Sequence, residues 1–358
     1  MNAPVIDRYS TWEMDAIVQS IDPGFSFLHQ TFFGTERLFT TQTVEHDIVE
    51  GGQRVAPFVS PLAQGVPTRR TGYRTYAMRP GYIKLADTVR PQDGQTRLPG
   101  EPYGGAFDPQ TRVDMLVAKQ IATHLSMIDN RLEIMARDAL FDAKITITDT
   151  EGGLDYPSAT VDFERNPNND ATAAVAWNAN GRTPLKDIQA HALTINQTSR
   201  GAVVDTLLMC GALWDLLSAD DAFRALLSKL TNLSPGTQNS GIDVGPRSGS
   251  RKAQYRGRLS SQYDIWTYDG YFEDETGAAK PIMDPDRVVF IANEGENSGM
   301  EGRRLQGAIL DMDAGIRAQK MFVKARNVWD PSGVEVLTQS APMLSMRRPN
   351  ATGTLKVR

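Results

Sequence analysis

An unbroken apolar stripe beginning near Asp108 restricts the fold more than any other feature of the chain. Asp108-Pro109 is a helix start, an Asp at the N-cap followed by Pro at the first helical position. Apolar side chains then recur at Val113, Val117, Ile121, Leu125, Ile128, Leu132, Met135 and Ala139, in steps of four and three. That spacing keeps them on one face of an α-helix. No Gly or Pro interrupts the run from Gln110 to Ile147. The spacing predicts a helix over about 108–142, roughly 50 Å long at about 1.5 Å per residue. Such a helix is either a coiled-coil strand or the spine of an elongated body. Thr123, His124 and Ser126 crowd its middle and no second long helix accompanies it, which favours the spine. Val117, Ile121, Leu125, Ile128, Leu132 and Met135 are then its expected core.

The flanking segments differ in character. Residues 1–34 read as an arm whose aromatic cluster, Phe25, Phe27, Phe32 and Phe33, either docks on something or forms a first edge of the core. Phe39 to Val49 is rich in β-branched residues and ends in the turn Glu50-Gly51-Gly52-Gln53. Val55 to Val59 and Gly72 to Met78 also read as extended, with Pro57, Pro61 and Pro67 between them. This excursion has few large aliphatic residues, and a hairpin without a core of its own needs a surface to lie against. Arg69, Arg70, Arg74 and Arg79 make it locally basic, as a solvated face or as contacts to a neighbour.

Beyond the spine, Lys144 to Thr148 alternates like a strand, and Thr183-Pro184 opens a helix to about Asn196. Gly201 to Met209 reads as a buried strand, followed by short helices near 211–218 and 219–230. Residues 231–252 are a long polar loop, of the kind that is usually functional or mobile. From Ala253 the pattern is β, with strands at Tyr263–Tyr268, Val288–Ile291, Met321–Ala325, Val334–Thr338 and Thr354–Val357.

Chemistry is sparse. Four histidines, His29, His46, His124 and His191, show no metal-ligand spacing with each other or with Cys210. Phosphate-cradling glycine loops and nucleophile elbows are absent as motifs. Asp284-Pro285-Asp286 and Asp311-Met312-Asp313-Ala314-Gly315 only faintly resemble calcium loops and lack the further ligands. No catalytic residue, metal or cofactor is expected. With 358 residues the chain can bury a sizeable core in two or three lobes. One cysteine excludes an internal disulfide. A net charge of −5 argues against a dedicated nucleic-acid binder. No run is apolar and long enough to span a bilayer, and the N-terminus lacks a signal-peptide pattern. The unusual features are features of shape, which suit subunit contact better than catalysis.

In this order, the pieces resemble the major capsid protein E family of lambda-like tailed phages, whose fold is of the Hong Kong 97 type. Leu38-Phe39-Thr40-Thr41 with Val55-Ala56-Pro57-Phe58-Val59-Ser60-Pro61 resembles the family's extended-loop segment. Arg79-Pro80-Gly81-Tyr82-Ile83-Lys84 resembles its return to the body. Arg326-Asn327-Val328-Trp329 and Thr338-Gln339-Ser340-Ala341-Pro342-Met343 resemble its C-terminal signature.

The resemblance implies an α+β Hong Kong 97-like capsid fold. Residues 1–35 would be the N-terminal arm and 36–95 the extended loop. Residues 96–199 and 319–358 would form the peripheral domain around the spine, and 200–318 the axial domain. It implies a non-enzymatic head-shell subunit of a siphovirus, self-assembling as hexamers and pentamers into an icosahedral procapsid that matures around double-stranded DNA. Implied partners are a separate scaffold protein, a portal, a decoration or cement protein and the packaged DNA, bound non-specifically; no membrane is implied. Synthesis and assembly would take place in the bacterial host cytoplasm, and the final location would be the virion. Phe33, Phe58, Arg69, Arg70, Arg74 and Tyr76 are the expected subunit contacts. An encapsulin-like compartment shell keeps the fold but changes the cargo, and a soluble enzyme of α+β fold is the alternative of another class.

Overall fold

The long helix forms where the stripe predicts it. In the computed structural model, which describes residues 9, 11–21, 26–49, 55–62, 64–67, 72–99, 101, 107–148, 159–224, 253–259, 262–274, 277–293, 299–315 and 319–358, Asp108 caps it. The Asp108 carboxylate accepts a hydrogen bond from the Gln110 backbone N–H at 3.2 Å, and Pro109 takes the first helical position. The labelled helices, in chain order, are α1 (Thr11–Ser20), α2 (Phe27–Phe32), α3 (Pro91–Gln95), α4 (Pro109–Asp142), α5 (Pro184–Thr198) and α6 (Gly211–Ser218). The chain stays helical at 221–224, and the rest of the expected 219–230 helix, like the 231–252 loop, lies outside the described residues. No described helix is long and apolar enough to cross a membrane.

The two ends of α4 sit in different cores. Val117, Ile121, Leu125 and Ile128 pack with Met14 of α1 and with Met321, Val323, Val334 and Val336. Leu132, Met135, Ala136, Ala139 and Leu140 belong to the larger core, among Phe27, Phe33, Trp177, Leu207 and Phe290. One continuous hydrogen-bonded helix therefore carries both cores, which is what makes it a spine.

The smaller core lies against a three-stranded antiparallel sheet ordered Phe322–Val328, Gly333–Ser340, Ile83–Val89. The larger core is built on a six-stranded mixed sheet ordered Asp170–Thr172, Thr352–Lys356, Arg287–Ile291, Thr206–Met209, Tyr263–Tyr268, Ala253–Leu259. Its central strands are continuously apolar and buried, Leu207-Leu208-Met209 against Val288-Val289-Phe290-Ile291, as interior strands covered on both faces must be. This sheet joins strands on both sides of the expected boundaries at 199/200 and 318/319, so those boundaries run through it. A second three-stranded sheet pairs Thr35–Leu38 with Gly302–Gln306 in parallel, and Gly302–Gln306 with Pro342–Met346 in antiparallel.

Buried polar groups fix how the helices meet. Glu133 of α4 accepts hydrogen bonds from the backbone N–H of Leu28 at 2.8 Å and of His29 at 3.1 Å, and pairs with His29 Nδ1 at 3.1 Å. Burial alone would raise this carboxyl, but those hydrogen bonds hold it below its ordinary value. At the other end, Arg165 donates to the carbonyls of Leu140 at 2.8 Å and Phe141 at 2.5 Å and pairs with Asp170 at 2.6 Å. It thus satisfies carbonyls that the last turn of a helix leaves without partners.

Candidate subunit-contact surface

The excursion before α3 is a hairpin whose root is buried and whose described outer part is not. Strands Val44–Val49 and Tyr73–Met78 pair antiparallel, Val44 opposite Met78 and Val49 opposite Tyr73. Val44 and Met78 are buried and anchor the root to the larger core. His46 sits between them in sequence direction and packs edge-on against Phe163, ring centroids 5.7 Å apart. Burial pushes the His46 pKa down to about 4. Further out, Thr75 donates to Asp47 across the strands at 2.6 Å, and Arg74 pairs with Glu164 at 2.7 Å.

Beyond Val49 no further pairing is found among the described residues. The stretch Val55 to Val59 forms no strand, contrary to the sequence reading; Pro57, Pro61 and Pro67 donate no backbone hydrogen bond and cannot extend a ladder. What remains is a loop of apolar side chains in solvent. Phe58 and Leu62 are fully exposed, at 106% and 99%, and Val55 is 94% exposed. Val66 and Tyr73 continue the exposed row. Full burial of a Val, Leu or Phe side chain is worth about 1.5–3 kcal/mol. Several of them exposed on one loop make it a candidate interaction surface.

The expected contact residues divide. Phe58 is exposed on this loop, and Arg74 is exposed at its base but engaged with its own chain's Glu164. Tyr76 is half-buried against the larger core. Phe33 is a correction: it is wholly buried in its own chain's core beside Phe27 and Phe32, and presents no surface to a neighbour. The aromatic run was the edge of a core, and residues 27–33 are part of the body. Arg69 and Arg70 lie outside the described residues. The sequence reading did not single out Leu62 and Val66, exposed on the same loop; three prolines spaced among apolar residues with no alternating partner were the available signal. It also passed over Trp329, 95% exposed at the turn between Phe322–Val328 and Gly333–Ser340.

The polar clusters among the described residues are accounted for by packing contacts. His124 bridges Thr338 Oγ1 at 2.8 Å and Asp87 at 2.9 Å, but Thr338 and His124 are both buried, so the group ties α4 to two strands. Between Asp311 and Asp313 stands the Lys324 ammonium, at 2.7 and 2.9 Å, where a cation would sit in a calcium loop. Cys210 is buried, and burial pushes its thiol up.

The family model for phage major capsid protein E matches residues 10–357. The chain belongs to the phage major capsid protein E family. It is 25% identical over 335 residues to the P21 prophage-derived major head protein of Escherichia coli O6:H1 strain CFT073, covering 92% of this chain and 93% of that one. The same figures hold for the major capsid protein of Enterobacteria phage P21. Among solved structures, one described as a prophage capsid protein of E. coli CFT073 superposes with a TM-score of 0.71 at 20% identity, over 99% of this chain and 100% of that one. A phage-related protein from Bordetella bronchiseptica RB50 superposes with a TM-score of 0.52 at 11% identity, over 99% and 98%. The fold is thus an α+β capsid fold, and the protein is a phage or prophage major capsid protein: a self-assembling component of the virion shell, not an enzyme.

Proposed function

We propose that this capsid protein builds an icosahedral head shell of the Hong Kong 97 type, with the hairpin and its loop as the extended loop that covers an adjacent subunit. The residues ahead of Phe27 serve as the arm, those from Phe27 on being part of the body, and 36–95 serve as the extended loop. Residues 96–199 and 319–358 form a peripheral part around α4. Residues 200–318 form an axial part that shares the six-stranded sheet with it. Hexamers and pentamers assemble on a separate scaffold around a portal in the host cytoplasm, and the shell then takes up double-stranded DNA and a decoration protein. The observation that carries the reading is the exposed apolar loop at 55–67, rooted in the core by Val44 and Met78 and covered by nothing described in its own chain. Its apolar side chains gain burial only from another surface, and a closed symmetric shell supplies one to every copy.

The test is deletion of Gly52 to Thr71. The shortened subunit keeps its helical circular dichroism and melting temperature, because the described part of the segment adds no core. With scaffold present it forms no shells by negative stain, whereas the full chain does. Shells of ordinary size from the deletion variant would reject the loop as the contact.

A further inference from the structure

A second feature lies at the root of the hairpin rather than on its loop. A cleft of about 300 Å³ opens there between the strand Tyr73–Met78, the turn after Ala159–Asp162, the C-terminal end of α5 and residues 348–351. Its lining brings together three guanidiniums, Arg74, Arg200 and Arg348, and one carboxylate, Glu164. The lining therefore holds an excess of positive charge, and its single acid is already engaged with Arg74 at 2.7 Å.

Arg348 makes no side-chain hydrogen bond or ion pair among the described residues. The acid that attracts it at range, Glu301, is held by Arg347 at 2.8 Å. Partial burial pushes the Arg348 pKa down, as it does for a cation moved out of water without a partner. Two amides are oriented beside it. Asn166 Oδ1 accepts from the Asn168 N–H at 3.0 Å, and Asn350 Oδ1 accepts from the Asn166 N–H at 2.7 Å. Each leaves its NH₂ group as the remaining donor.

The backbone is strained at the same place. Arg200 has φ 61° and Glu164 φ 54°, two of the four left-handed non-glycine residues among those described. Arg200 follows Ser199, the C-cap of α5, where glycine is the ordinary residue because this conformation crowds a Cβ. Residues held in such conformations cluster at binding sites.

We propose that the cleft binds a carboxylate side chain of a second copy of this chain, received between Arg200 and Arg348. This rests on the self-assembly reading above. Guanidinium forks match carboxylates bidentately, and the NH₂ groups of Asn166 and Asn350 add donors of the right sign. A copy of the chain is a fitting source, since it carries 43 acidic residues against 38 basic ones. The cleft has room for a side chain or two, not for a folded face, so the carboxylate belongs to a protruding segment.

The experiment uses Arg348→Lys, because the lining contains no lysine and a carbodiimide joins an amine to a carboxylate at contact distance. Particles are assembled from a mixture of ¹⁵N-labelled and unlabelled variant subunits, cross-linked and mapped by mass spectrometry. The expected result is a mixed-isotope cross-link from position 348 to an Asp or Glu, present in particles and absent in dissociated subunits. Arg348→Gln keeps the subunit's melting temperature yet raises the concentration needed for assembly by roughly tenfold. Cross-links confined to one chain, such as to Glu164 or Glu301, would overturn the proposal alone. So would inorganic phosphate raising the melting temperature of the dissociated wild type but not of Arg348→Gln, which would make the cleft a free-anion site. A wild-type chain that never forms particles would overturn the self-assembly reading and this proposal with it.

Discussion

His46 is the residue at which solvent pH reaches the root of the hairpin. Folded, it titrates at about 4; unfolded, it returns to the ordinary 6.5. Below pH 6.5 the unfolded chain takes up a proton that the folded side chain refuses until about pH 4. Stability from this group is therefore complete above pH 6.5 and is lost as pH falls toward 4. Between pH 7 and pH 5 the loss is about 2 kcal/mol. His46→Gln cannot take up that proton, so its melting temperature falls less than the wild type's over the same interval. Equal falls measured by calorimetry on dissociated subunits would show that another group governs the acid response. His191, also pushed down by burial, remains in both proteins and cancels in the comparison. The sequence allowed only that the four histidines were solvated or packed. That His46 meets Phe163, and His124 meets Asp87 and Thr338, depends on contacts far apart in the chain that no local pattern encodes.

Among the elements, those with local signals were legible and those defined by their partners were not. α4 carries a cap, a start proline and an apolar period, and it forms as predicted. α5 likewise begins at Pro184. The strands Gly302–Gln306 and Pro342–Met346 went unread, because Gly-Arg-Arg-Leu-Gln and Pro-Met-Leu-Ser-Met show no clear alternation and are strands through pairing with each other and with Thr35–Leu38. The expected strand at 201–209 shortens to Thr206–Met209, the part flanked on both sides by strands. The end of α4 shows the same dependence. No glycine closes it; Ala143 turns left-handed at φ 50°, and Arg165, from after the next hairpin, supplies the donors. Replacing Arg165 by Gln leaves the carbonyls of Leu140 and Phe141 short of donors, whereas Asp170 stays solvated and keeps its hydrogen bond from Thr354 Oγ1 at 2.7 Å. A loss of about 2 kcal/mol is expected, since a buried polar group left without its partner costs about 1–3 kcal/mol. Urea denaturation of dissociated subunits measures it, and a loss under about 1 kcal/mol would mean that water replaces the guanidinium.

On the scale of the whole molecule, α4 makes one mechanical unit of two cores. Ile121 packs in the core of the three-stranded sheet, while Trp177 is buried in the core of the six-stranded sheet, and among the described residues no side chain is shared between the two clusters. What joins them is the unbroken helix, reinforced where Glu133 grips the start of α2. If the helix couples them, damage to one core must destabilise the other, because melting half of α4 removes the first turn on which the other half is built. Ile121→Ala should then cost about 2–5 kcal/mol, the usual range for emptying a buried aliphatic site. It should also shift the transition reported by Trp177 fluorescence together with the helical circular dichroism, as a single step. Ile128→Asp, nearer the boundary between the cores, should do the same more severely by placing an unpaired charge on the stripe. An early partial transition in Ile121→Ala, with Trp177 fluorescence unchanged until higher urea, would mean that the two lobes unfold separately. The outcome bears on shell strength. A subunit that unfolds as one unit passes load between the three-stranded and the six-stranded sheet, and each contact in a closed shell can be modest because every copy engages several at once.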